Sequence, residues 1–181
     1  MGKRSDYNKI PKDYYPTTDA NAIPEKFIEF IRGKTYAEPC CGTGDLVDLL
    51  MDVAVCRWES DVEYRGCGKI WDALCLSKHE LQDCDLIVTN PPFSRDVLLP
   101  MVDHFISLKP TWLLLPADYM HNKYFSPHMA RCSKVVSIGR ICWFPPPWWS
   151  KKMVRSTDNF CWYFWKQGAT SDTETIFYGR S

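Results

Sequence analysis

The sequence predicts an α/β fold on a mostly parallel sheet, and three observations carry that reading. Leu86-Ile87-Val88 is a short, wholly apolar run, as in a parallel strand covered on both faces. Thr35-Tyr36-Ala37-Glu38 leads through the turn Gly42-Thr43-Gly44 into the helical pattern Leu46-Val47-Asp48-Leu49-Leu50, the strand, turn and helix order of a doubly wound unit. Two further strand-like runs follow, Val53 to Glu59 and Gly68 to Leu74, each carrying an acid toward its end.

At 181 residues one domain is expected, residues 19–168, with a polar arm at 1–18 and a polar tail at 169–181. The 22 basic residues balance the 22 acidic ones, so a nucleic-acid surface has to be a local patch. No apolar run approaches the ~18 residues of a membrane span, and the start Met1-Gly2-Lys3-Arg4-Ser5-Asp6 is too polar for a secretory signal. The nine cysteines have no C-x-x-C spacing and the four histidines are scattered. That pattern argues against a metal site and a disulfide framework and for a reducing cytoplasm, host cytoplasm if the chain is viral.

After the arm, Ile23, Phe27 and Ile31 share one helical face, with Pro24 in the first turn and Gly33 as a stop. The glycine turn that follows brings backbone within contact distance of a ligand. A dinucleotide fingerprint would need a third glycine where Val47 stands, so that reading is set aside. Glu59 closes the next strand 21 positions after Glu38, where a carboxylate can accept both hydroxyls of a ribose; Asp61 competes for the role, and a plain surface acid is the alternative. Leu76 to Asp83 reads as a short helix, and Leu86 to Thr89 as the central strand. Two prolines end that strand. They leave the carbonyls of Asn90 and Pro91 without neighbouring main-chain donors, so with the Asn90 side-chain oxygen they form a group of acceptors that suits an exocyclic amino group. Phe93 offers a flat face for a ring to stack on. Asp96 to Ile106 reads as a helix interrupted at Pro100, and Trp112 to Pro116, Lys134 to Ile138 and Phe160 to Trp165 as the last strands. Between the last two, Trp148, Trp149, Lys151, Lys152 and Arg155 interleave aromatics with cations, which suits stacking on bases and pairing with phosphates; alternatively the tryptophans cap the core.

Asn90-Pro91-Pro92-Phe93 resembles the [Asp/Asn/Ser]-Pro-Pro-[Tyr/Phe] signature of S-adenosylmethionine-dependent amino methyltransferases, above all the DNA adenine-N6 methyltransferases. Glu38-Pro39-Cys40-Cys41-Gly42-Thr43-Gly44 matches that family's acid-Pro-x-x-Gly-x-Gly turn, and Tyr15-Pro16-Thr17 its aromatic-Pro-Thr segment. The resemblance covers roughly Tyr14 to Gly168. It implies a Rossmann-like fold whose final strand joins an antiparallel hairpin, with S-adenosyl-L-methionine as cofactor. Tyr15, Thr17, Glu38, Gly42, Gly44, Glu59, Asp72 and Asn90 would hold that cofactor, Asp72 at the adenine amino group. The substrate implied is double-stranded DNA with its target base flipped out; neither metal nor membrane is implied, and a homodimer is allowed. Asn90, Pro91, Pro92 and Phe93 would direct transfer to adenine N6, with the base stacked on Phe93 and its amino group donating to the Asn90 side chain and the Pro91 carbonyl. The same motif serves RNA adenine, cytosine N4 and protein glutamine, although the glutamine enzymes usually carry Tyr at the position of Phe93. A catalytically silent relative that binds DNA or a partner is the remaining alternative.

Overall fold

The computed structural model describes residues 14–143, 154–156, 158–171 and 173–180. An eight-stranded sheet forms from β1 (Thr35–Glu38), β2 (Val55–Asp61), β3 (Lys69–Ile70), β4 (Leu86–Thr89), β5 (Thr111–Pro116), β6 (Lys134–Gly139), β9 (Phe160–Trp165) and β10 (Ile176–Tyr178). Its order is β10-β6-β9-β5-β4-β1-β2-β3. Only β9 runs antiparallel to its neighbours in this sheet, pairing with β5 and β6. A separate two-stranded ladder joins β7 (Cys142–Trp143) to β8 (Val154–Arg155).

Successive strand residues point to opposite faces, and both faces are buried, so the alternation divides the core in two. On one face Ala37, Ile87, Leu113, Leu115, Tyr163 and Trp165 pack beneath α3 (Arg95–Leu108). On the other, Tyr36, Leu86, Val88, Leu114 and Trp162 meet α1 (Glu25–Ile31) and α2 (Asp45–Leu50). Phe27 of α1 stacks on Trp162 at 4.2 Å, and the indole N–H of Trp162 donates to Ala22 O at 2.6 Å, which satisfies the buried ring's polar edge. α4 (Ser126–Met129) is a single turn, whose His128 carbonyl accepts the Trp165 indole N–H.

Several elements depart from the sequence reading. β2 starts at Val55, because the N–H groups of Val53 and Ala54 both bond Leu50 O and close α2 instead; the strand then runs on past Glu59 to Asp61. Leu76 to Asp83 forms successive turns rather than a helix, with Leu76 and Leu81 buried as anchors. Pro100 does not interrupt α3. The carbonyl deprived of its donor is that of Asp96, and both residues are exposed, so water replaces the lost bond while six buried side chains hold the helix. β3 is only two residues long, and β10 adds an edge strand that polar residues 169–181 did not suggest. No helix among the described residues is long and apolar enough to cross a membrane.

Candidate functional site

Chain order and sheet order fix where a ligand can enter. β1 is followed outward by β2 and β3, after which the chain returns to place β4 on the other side of β1. That reversal opens a crevice at the carboxyl ends of β1 and β4. A cavity of about 60 Å³ lies there, lined by Glu38 from the end of β1, Asp61 from the end of β2, Asn90 and Pro92 after β4, the Cys40–Leu46 turn and the strap Tyr14–Thr17.

The glycine turn serves its own chain first. Gly42 and Gly44 adopt φ of 54° and 92°, conformations costly for other residues. A β-carbon on Gly42 would also lie 2.8 Å from the Tyr14 ring. The Tyr14 hydroxyl is 2.7 Å from Thr43 Oγ1; because the Thr43 proton goes to Asp45, Tyr14 is the donor. Arg65 stacks on the same ring at 4.4 Å. The strap therefore closes over the turn that was expected to meet a ligand.

Glu38 is buried, with a carboxyl oxygen held by the Thr89 hydroxyl and by Cys40 N–H at 3.1 Å. Its other oxygen has no partner among the described residues. Loss of water pushes the carboxyl up to about 8 against the opposing pull of those two hydrogen bonds, and the charges of Asp61 and Glu59 add to the rise.

Asn90 is held from the strap. Its Nδ2 donates to Tyr15 O at 2.8 Å and to Thr17 Oγ1 at 3.0 Å. A carbonyl only accepts, so Tyr15 O settles which side-chain atom is the nitrogen. Oδ1 is buried and has no partner among the described residues. Phe93 is placed differently from expectation: the ring stacked on it is Tyr15, at 5.6 Å and 20°, with Phe160 tilted at 5.9 Å. An incoming ring reaches that face by displacing Tyr15. Tyr119 donates to Phe93 O at 2.8 Å and pins the turn from β5's side.

Of the expected site residues, Tyr15, Thr17, Glu38, Gly42 and Asn90 meet at this cavity, and Pro91 joins Asn90 to Pro92 at its wall. Gly44 sits one turn back as the cap of α2. Glu59 and Asp72 do not line the cavity: Glu59 accepts from the Cys67 thiol at 3.1 Å, and Asp72 is exposed and caps the turn Ala73–Cys75 through Leu74 N–H. The acid at the wall is Asp61, whose carboxylate accepts from Gly42 N–H at 3.0 Å and Glu63 N–H at 3.1 Å. Its signal in the sequence was the second acid, two positions after Glu59. Tyr14 and Thr89 carried none, because each acts through a partner distant in sequence. Trp148, Trp149, Lys151 and Lys152 lie outside the described residues, and only the backbone of Arg155 is described, in β8. The ladder at the base of that loop is tied to the strap side, since Asp19 accepts from Cys142 N–H at 2.8 Å.

No protein-family model matches the sequence, and no curated protein matches it. Solved structures do share its fold. A putative RNA methyltransferase from Pyrococcus horikoshii superposes with a TM-score of 0.65 at 15% identity, over 91% of this chain and 92% of that one. The E. cuniculi Mtq2–Trm112 complex, responsible for methylating the eRF1 translation termination factor, gives 0.55 at 16%, over 86% and 98%. The modification subunit of a putative type I restriction enzyme from Vibrio vulnificus gives 0.53 at 13%, over 92% of this chain but only 47% of that one. What these proteins share with this chain is architecture, and that architecture is the Rossmann-like fold of the S-adenosylmethionine-dependent methyltransferases.

Proposed function

We propose that this chain is an S-adenosylmethionine-dependent methyltransferase acting on an exocyclic amino group, with adenine N6 in DNA as the substrate. The observation that carries the reading is the Asn90 side chain, whose two N–H groups are both consumed by the strap while its buried Oδ1 meets no donor among the described residues. A buried acceptor left unpaired costs about 1–3 kcal/mol, which an amino group donating to it recovers. Glu38 supplies a second oxygen without a partner among the described residues at the same cavity; protonated in the ligand-free chain, its carboxyl would give up that proton to receive the cationic amino end of the cofactor. Asp61 replaces Glu59 as the residue for the cofactor ribose, because its carboxylate is the one at the cavity wall. Asp72 is assigned to the cofactor adenine on the motif resemblance alone. A cavity of about 60 Å³ is far below the roughly 300–1,000 Å³ of small-molecule sites, so the strap lifts to admit the cofactor and closes back on Asn90 through Tyr15 O and Thr17 Oγ1 for transfer.

S-adenosylmethionine, when bound, supplies an electrophilic methyl group on sulfonium sulfur. The chain's own work is positioning. Asn90 Oδ1 and the Pro91 carbonyl accept the two hydrogens of the amino group, which draws the nitrogen lone pair out of conjugation and aims it. The amino nitrogen held in this way would face that methyl group, and the proton it no longer needs would leave to solvent. No general base is required. The target base is flipped from the duplex at a cost of a few kcal/mol and gains roughly 1–3 kcal/mol by stacking on Phe93 once Tyr15 has moved.

RNA adenine is the second reading, favoured by a whole-length structural neighbour named as an RNA methyltransferase. The test is incubation of the purified protein with S-adenosylmethionine and, separately, unmethylated DNA, RNA or a protein extract, followed by digestion and mass spectrometry. N6-methyladenine from DNA alone supports the proposal. A methyl group on RNA, cytosine or glutamine keeps the Asn90 chemistry and replaces the substrate, whereas no product in any arm sinks the enzyme reading.

A further inference from the structure

We infer that Thr17 is a positioning residue, which acts by fixing the orientation of the Asn90 amide rather than by touching the acceptor. The inference rests on Asn90 as the acceptor of the substrate amino group.

A terminal Asn torsion is broad and roughly two-fold, so the side chain itself does not choose whether oxygen or nitrogen faces the substrate. The choice matters, because a flipped amide would present N–H groups to an amino group that needs an acceptor. Two acceptors on the strap make it: Tyr15 O and Thr17 Oγ1, at 2.8 and 3.0 Å from Nδ2. The first belongs to the backbone. The second is a side-chain hydroxyl on a residue only 4% exposed, where no bulk water can substitute for it. Removing it strands one Asn90 N–H in a buried place and halves the bias against the flipped amide. The strap thus controls the transfer geometry from a sequence distance of 73 residues.

Thr17→Val keeps shape and deletes the hydroxyl; Thr17→Ser restores it. With unmethylated DNA and saturating S-adenosylmethionine, the Val variant is expected to lose about tenfold or more in kcat while the cofactor's KM and calorimetric Kd stay within about twofold, and the Ser variant to recover most of the rate. A Val variant with normal kcat overturns the inference. So does a raised cofactor KM with unchanged kcat, which would make Thr17 a cofactor ligand only. A second readout needs no turnover: the Asn90 side-chain amide, identified in ¹H–¹⁵N spectra by its loss in Asn90→Ala. Its two protons are expected to exchange slowly in the wild type and one of them rapidly in Thr17→Val; unaltered exchange overturns the inference. If the wild-type protein transfers no methyl group to any substrate, the functional reading fails, and the amide protons alone decide the role of Thr17.

Discussion

Two buried side-chain oxygens without a partner among the described residues, one on Asn90 and one on Glu38, belong to residues that line the cavity. Asn90→Ala removes the first and leaves Glu38, Asp61 and the glycine turn in place. Transfer is therefore expected to fall to background while S-adenosylmethionine still binds in calorimetry; near-normal activity would rule out the amide mechanism. Glu38 makes a different prediction, because its carboxyl is raised from 4.5 to about 8 by burial. In the unfolded chain it ionises near 4.5, whereas in the folded chain it keeps its proton until about pH 8. Its contribution is thus fully present below pH 4.5 and is lost progressively up to about pH 8. Glu38→Gln abolishes that titration, so the stability of the variant relative to wild type should rise across this window, with a slope of at most about 1.4 kcal/mol per pH unit. Urea unfolding at a series of pH values checks it, and a pH-independent difference would mean Glu38 is not held neutral.

Among the elements, the strap Tyr14–Thr17 decides access. It bonds the glycine turn through Tyr14 and Thr43 at one end and Asn90 at the other, and covers Phe93 with Tyr15. Tyr14→Phe deletes one partly exposed hydrogen bond, worth about 1 kcal/mol, and should open the strap about fivefold more often. Faster amide exchange at Pro16-flanking residues and faster cofactor association are the expected readouts; unchanged exchange would show that the Asn90 bonds and ring stacking hold the strap without the Tyr14 hydroxyl. The motif Tyr15-Pro16-Thr17 was recognisable in the sequence. That it closes on Asn90 was not, because hydrogen bonds between residues so far apart leave no periodicity. Pro100 and Leu76–Asp83 misled for the opposite reason: local preference was read as decisive where burial and exposure of the surrounding chain overrode it.

At the scale of the whole molecule, the sheet is stabilised by two buried faces. Phe27 is fully buried against Trp162, so Phe27→Ala is expected to cost about 3–5 kcal/mol in denaturant unfolding without altering the residues of the cavity. Lys151, Lys152 and Arg155 are the proposed nucleic-acid contact. Replacing all three by Ala should weaken DNA binding at every sequence and reduce the steepness of its salt dependence; unchanged binding would remove these cations from the contact.

The residues alone determined the architecture, since apolar runs of strand length, a glycine turn and acids at strand ends are local patterns with few foldings compatible with them. They also singled out two segments, Glu38–Gly44 and Asn90–Phe93, from which Glu38, Cys40 to Thr43, Asn90 and Pro92 line the cavity. Tertiary structure decided the rest. A two-residue shift in β2 put Asp61 rather than Glu59 at the cavity. The strap filled the Phe93 face with Tyr15 and took up the Asn90 N–H groups, leaving the Asn90 oxygen buried without a partner among the described residues. Strand phase and side-chain orientation depend on partners brought together only by folding, and no reading along the chain contains them.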